Sequence, residues 1–401
     1  MPEETSEETK EESINEDSQT DLESTTAQIA QIGETTYETL ESAIQAAQNG
    51  EEIKLLEDIQ LEEEMIIDTG QNVILNLNGK TISSTSLNTI VNNGILTITG
   101  TGIIRNEIEN GTVIYNTGTL NLENGVITTN KNGGKAVQNV TENTSNSESN
   151  ASANSNNGKT SGVFNMKAGK IVTEGIGSVG IYNGSGSKVT IEGGIIEVTG
   201  NGSKAIYNNA DLEITGGKVI VSGEDAIGIY NGKTSKTCII KLAKAAEANK
   251  APEIIVEAEE IEHYDEIKNT DQFKEQLAQM KPSYGIYNDA ETEIVIEAVT
   301  IQVERLKGVG IRNNTSGTIT LGIEDETITT ATPTINAVAD NTTALQNSEK
   351  GQINFYDGNF VTLTSVKEDI GKIPKMSEIQ ETISKTIMKT ILITTGDASQ
   401  L

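Results

Sequence analysis

The spacing of apolar positions changes along the chain. Tyr37, Leu40, Ile44 and Ala47 fall at i, i+3, i+7 and i+10, one apolar stripe. This predicts a helix over 35–48, capped by Thr35 or Thr36 and stopped at Asn49-Gly50. Beyond it the period shortens to two. Ile53–Leu56, Met65–Ile67 and Val73–Leu77 are short apolar or alternating runs, and Asn78-Gly79 supplies a turn, so these segments read as strands. A helical stripe returns at Phe273, Leu277 and Met280, and again at Ile379, Ile383 and Ile387 behind Ser377, ahead of the strand-like run Thr390–Thr394.

Between these flanks a unit repeats: apolar-x-Asn, Leu-x-Ile, a Gly-containing turn, then a β-branched run. One copy is Ala205-Ile206-Tyr207-Asn208, Leu212-Glu213-Ile214, Gly216-Gly217, Val219-Ile220-Val221. The aligned asparagines are Asn92, Asn116, Asn139, Asn183, Asn208, Asn231, Asn288, Asn313 and Asn347, with simple spacings of 23 to 25. The 44-residue interval from Asn139 to Asn183 falls to 24 when the Ser/Asn/Thr tract 141–160 is removed. The interval of 57 from Asn231 to Asn288 places an inserted segment in 241–282, and the interval of 34 from Asn313 to Asn347 holds a looser insertion.

Each unit is expected to hold two or three strands too short to stand alone, so successive copies must stack. Stacking puts the inward Ile, Val and Leu in one column. It also lets each repeated Asn bond the Asn of the next winding, pairing polar groups that would otherwise be buried alone. This is the logic of a right-handed parallel β-helix, an all-β solenoid. A leucine-rich repeat has a similar period but needs a helical return, and no helical stretch lies between Asn183 and Asn231. The domain reading is an acidic disordered tail over 1–32, a β-helix over 33–365, and a C-terminal cap or linker over 366–401. The 35–48 helix covers the first open end of the sheets.

Composition narrows the chemistry. There are 59 Asp+Glu against 29 Lys+Arg, a net charge of −30, with ten carboxylates facing only Lys10 within residues 1–26. Phosphate contacts would begin with repulsion, so nucleic acid is excluded as a partner. No run of 18 apolar residues exists, which excludes membrane insertion by a helix, and the first residues lack a signal-peptide apolar region. A single cysteine, Cys238, excludes an internal disulfide and a Cys-based zinc site; its phase with Ile240 points it inward.

The stretch Tyr37–Ile44, the run Ile53–Ile59 and Ile74-Leu-Asn-Leu-Asn-Gly-Lys-Thr-Ile82 resemble the start of pectate-lyase-like β-helix domains of bacterial surface proteins. The Gly-Ile-Tyr-Asn units ending at Asn183, Asn231 and Asn288 fit the same group. The resemblance covers about residues 33–365. It implies a β-helix, and it leaves function open, because such helices serve as lyases, hydrolases, adhesins and stalks.

The enzymes of that group gather carboxylates that hold Ca²⁺ or act as acid and base. Here no Asp-Asp pair and no Asn-Thr-Asp segment occurs in the repeats, and Asp211, Asp225, Asp289 and Asp357 fall mostly beside turns. Only three arginines exist, Arg105, Arg305 and Arg312, and the lone histidine, His263, lies in a charged stretch without repeat context. No catalytic residue, metal ligand or cofactor is therefore expected.

One set of residues reads as a surface. The x position of apolar-x-Asn is Tyr115, Tyr182, Tyr207, Tyr230 and Tyr287, then Arg312. Strand alternation turns this position outward, and coils about 4.8 Å apart would give an offset-stacked tyrosine stripe roughly 15 Å long. The functional expectation is a monomeric extracellular or cell-surface, adhesin-like β-helix that binds glycan or protein along its side without catalysis. A polysaccharide lyase or glycoside hydrolase is the alternative, and a passive stalk a third reading.

Overall fold

A computed structural model describes residues 27–141, 161–240, 251–259, 261–322, 332–356 and 358–362. Among them, strands form three long sheets of 13, 11 and 10 strands, parallel except for the pairings of the first two strands in the 13-stranded sheet, and wound one strand per face per turn as a right-handed β-helix. The first face carries the Leu-x-Ile strands such as Asp211–Ile214. The second carries the β-branched runs such as Lys218–Val221. The third carries the Asn strands such as Lys204–Asn208. Each unit thus holds three strands, in register with the units on either side.

The burial pattern follows the pairing. In Asp211–Ile214 and Lys218–Val221 alternate side chains point inward, and Leu212, Ile214, Val219 and Val221 join one continuous apolar core that runs through the stack. At the N-terminal end the stack is closed. Ala30–Ile32 pairs antiparallel with both Thr35–Tyr37 and Glu52–Leu55, and the helix α1 (Leu40–Ala46) buries Leu40, Ala43 and Ile44 in the same core.

Three expectations are corrected by this packing. Thr35–Tyr37 is a strand, so the helix starts later. Its cap is Thr39, whose hydroxyl oxygen accepts the Ser42 N–H at 3.1 Å. The segment 241–282 is also not one insertion. Glu253–Val256 is a full member of the second face, between Lys218–Val221 and Thr300–Val303. The described excess, 257–259 and 261–283, stands in place of a tight turn and forms α2 (Tyr264–Ile267) and α3 (Asp271–Gln279). Of the tail expected over 1–32, residues 1–26 lie outside the described residues, but Ala30–Ile32 is a paired strand, because Glu52–Leu55 offers it a sheet edge. Most of the tract 141–160 and the segment 366–401 also lie outside the described residues.

Two corners dictate glycine. Between the first and second faces, Gly102, Gly125, Gly169, Gly194 and Gly217 all take positive φ, a region that side chains disfavour. Between the second and third faces, Gly175, Gly200 and Gly223 stack so closely that a Cβ on Gly200 would lie 1.9 Å from the Gly175 carbonyl oxygen. The same turn position two windings beyond Gly223 is Arg305, and there the winding between them is the one whose turn became 257–283. The space left by that turn takes the guanidinium. Arg305 is 3% exposed, and donates from Nη1 to the Ser222 carbonyl and from Nη2 to Glu259 Oε2, both at 2.6 Å.

The helical segment is pinned on both sides. Lys281 N–H donates to Glu224 Oε1 at 2.7 Å, Tyr264 donates to Asp340 Oδ2 at 2.7 Å, and Lys307 Nζ donates to the carbonyls of Ala278 and Met280. Phe273 is buried beneath Tyr264, and Thr270 caps α3. Among the described residues no helix is long and apolar enough to cross a membrane.

Candidate functional site

The repeated asparagines form one unbroken hydrogen-bonded column. Each Nδ2 donates to the Oδ1 of the next winding: Asn92 to Asn116 (2.6 Å), Asn116 to Asn139 (2.7 Å), Asn139 to Asn183 (3.1 Å) and Asn183 to Asn208 (2.8 Å). Asn208 continues to Asn231 (3.0 Å), then Asn288 (2.9 Å), Asn313 (3.0 Å) and Asn347 (2.9 Å). The column is polar from end to end. At its start the preceding winding presents Ile67, so Asn92 Oδ1 is buried without a donor among the described residues. At its end Asn347 donates to the Gly351 carbonyl.

This column fixes the third face, and the face positions the tyrosines. Tyr182, Tyr207, Tyr230 and Tyr287 occupy successive windings in direct register, followed by Arg312. Tyr115 stands apart, because Gln138 occupies the winding between it and Tyr182. The rings do not form the expected offset stack. Tyr182–Tyr207 and Tyr207–Tyr230 meet edge to face, at 5.3 and 4.8 Å and 81° and 88°; only Tyr230–Tyr287 is stacked, at 5.7 Å. Windings about 4.8 Å apart are too widely spaced for flat rings, whose carbon atoms prefer ~3.5–4.0 Å, so rotation fills the gap.

Three further residues complete the site. Lys204 Nζ lies over the rings of Tyr207 and Tyr230, at 5.9 and 5.7 Å from their centroids. Tyr284 meets Tyr287 edge on at 5.0 Å. Asp289 Oδ2 accepts from the Tyr230 hydroxyl at 2.9 Å, and its Oδ1 accepts from Asn314 at 3.2 Å. Arg312 Nη1 donates to Gln346 at 3.0 Å. Strict alternation would point Lys204 and Tyr284 inward. Each strand instead bends at its second residue, where the register passes from Lys204↔Ile227 directly to Ile206↔Ile229, so residues one and four both face out. The signal available in sequence was the small residue, Ala205 or Gly285, ahead of each Ile-Tyr-Asn.

Electrostatics ties these groups together. Burial among the rings lowers the Lys204 pKa, partly countered by Asp225. Burial first, and then the bond to Asp289, raise the Tyr230 pKa; burial likewise raises those of Tyr284 and Tyr287. A phenol whose folded-state pKa exceeds its unfolded value keeps its proton in the fold after the unfolded chain has lost it. Its contribution to stability is complete below the usual value of 10.0 and declines as pH rises through the raised value. The melting temperature is therefore expected to fall as pH climbs past 10, and to fall less steeply in Tyr230→Phe, as followed by thermal unfolding across that range.

The other candidates stay outside this site. Cys238 is buried, and burial pushes its thiol up to about 12, away from nucleophilic use. His263 is exposed at the start of α2, 3.6 Å from Glu266. Among the described residues, no three His, Cys, Asp or Glu side chains gather closely enough to hold a metal ion. Two shallow depressions lie elsewhere: one lined by Gln31, Gly33 and Lys54, the other by Asn93, Gly94, Thr117 and Gly118. Comparison with protein-family models, with curated proteins and with solved structures found no match.

Proposed function

We propose that this protein is a non-catalytic surface β-helix of the pectate-lyase-like, bacterial cell-surface kind, working outside the cell and holding glycan along its third face. The observation that carries the reading is the run of four tyrosines in register on consecutive windings, with Lys204 packed on two of them and Arg312 at the end. Aromatic faces stack on the apolar faces of sugar rings, and a rigid sheet holds them without ordering cost at the moment of binding. The strong negative charge keeps such an elongated particle dispersed.

The test is a glycan-binding screen on the intact chain and on the double variant Tyr207→Ser/Tyr230→Ser. Loss of two contact rings is expected to weaken binding by about tenfold or more, with the circular dichroism spectrum of the wild type retained. Binding that survives the double change unaltered, or no glycan binding by the intact chain, defeats the reading. A uronate-cleavage assay with and without Ca²⁺ runs beside it, and product formation there would assign catalysis instead.

A further inference from the structure

We infer that Asn124 is a site of spontaneous deamidation, singled out by the fold from the many Asn-Gly pairs of this chain. Within the described residues such pairs stand at 49–50, 78–79, 93–94, 110–111, 124–125, 132–133, 183–184, 201–202 and 231–232. In most of them the glycine N–H is held by a backbone carbonyl. Gly50 donates to Asn72 (2.9 Å), Gly133 to Ile176 (2.9 Å), Gly184 to Asn139 (2.8 Å), Gly202 to Glu224 (2.7 Å) and Gly232 to Asn208 (2.7 Å); Gly79 and Gly111 donate to Thr101 and Ile108. Asn93 is held differently, its Oδ1 accepting from the Thr117 hydroxyl at 2.8 Å.

At Asn124 the arrangement is reversed. The Gly125 N–H points at the side chain of the residue before it, 2.8 Å from Asn124 Oδ1. The nitrogen is thereby held beside the amide group it must attack, against an oxygen one bond away from the target carbon. Asn124 is exposed to water. Gly125 itself is buried, and its φ of 87°, a conformation set by the glycine corner, keeps its N–H aimed at the exposed Asn124 side chain.

The chemistry needs only water and base. Hydroxide takes the Gly125 amide proton, and the nitrogen attacks Asn124 Cγ. The N–Cγ bond forms, the Cγ–Nδ2 bond breaks, and ammonia leaves after taking a proton from water. Water then opens the five-membered imide at either carbonyl, giving an aspartate or a β-linked aspartate. Nothing is oxidised or reduced, and one negative charge is added. The β-linked product lengthens the main chain beside Gly125, whose carbonyl accepts the Lys170 N–H of the next winding at 2.9 Å, so this corner loosens as the protein ages.

The experiment is peptide mapping by mass spectrometry after incubating the full chain at mildly alkaline pH, with and without denaturant. In the folded chain Asn124 is expected to convert at least about tenfold faster than Asn132 and Asn201, which are also exposed. In denaturant the three are expected to converge. Conversion of Asn132 or Asn201 as fast as Asn124 in the folded chain overturns the inference, as does a difference that persists in denaturant. Asn124→Gln serves as the reference: it should fold normally and lose the fast phase.

Discussion

Replacing Asn208 by alanine is expected to lower the unfolding free energy by about 3–6 kcal/mol, whereas Asn347→Ala costs only about 1 kcal/mol. Asn208 sits in mid-column, fully buried. Its Oδ1 accepts from Asn183 Nδ2 and from the Ala210 N–H, and its Nδ2 serves Asn231 Oδ1, the carbonyls of Ala210 and Thr237, and Ser235 Oγ. Alanine leaves a donor above and an acceptor below buried without partners, and each such orphan costs about 1–3 kcal/mol. Asn347 is half-buried at the end of the column, where water replaces what is lost. Because each winding is stabilised mainly by its neighbours, amide exchange should accelerate first in the windings of Asn183, Asn208 and Asn231. Equal losses in the two variants by denaturant unfolding would show that the column is decoration and that the apolar core alone sets stability.

The column was legible in sequence because one residue type returns at one spacing, and because its role leaves little choice: the side-chain amide accepts from one neighbour while its two hydrogens serve the next asparagine and a carbonyl, whereas a carboxylate only accepts and a hydroxyl has a single hydrogen to give. The tyrosine positions were legible for the same reason. The places where sequence fell short share a cause, namely long-range pairing. Asn-to-Asn intervals sample one strand per winding. They cannot tell whether surplus residues precede or follow Glu253–Val256, which looks like part of an insertion until its neighbours Lys218–Val221 and Thr300–Val303 are seen. Tyr37 fits a helical stripe locally, yet Ala30–Ile32 offers it a strand partner, and pairing prevails over propensity. Lys204 escaped notice because a bend at Ala205 breaks the period of two that made Tyr207 readable.

Arg305→Gly is expected to change sign with the length of the turn beside it. In the intact chain it destabilises by about 2–4 kcal/mol. It empties a buried space, leaves the Ser222 carbonyl unpaired, and frees the anchor that holds Glu259 and the first residues of 257–283. Now let 257–283 be replaced by the Ser222–Ala226 sequence, the tight turn of the winding before. The grafted glycine carbonyl then lies where the guanidinium stood. A Cβ at 305 meets it at a separation like the 2.3 Å that a Cβ on Gly223 would have from the Gly200 carbonyl oxygen. Main chain must shift in every winding that follows, costing about 3 kcal/mol or more. In that shortened chain Arg305→Gly relieves the clash and stabilises by a similar amount. The four proteins form a double-mutant cycle whose coupling energy, read by denaturant unfolding, should therefore exceed ~3 kcal/mol, well above the ~0.5 kcal/mol found for independent sites. If Arg305→Gly has the same effect in both backgrounds, the corner tolerates side chains and the arginine is not there because the helical segment made room for it.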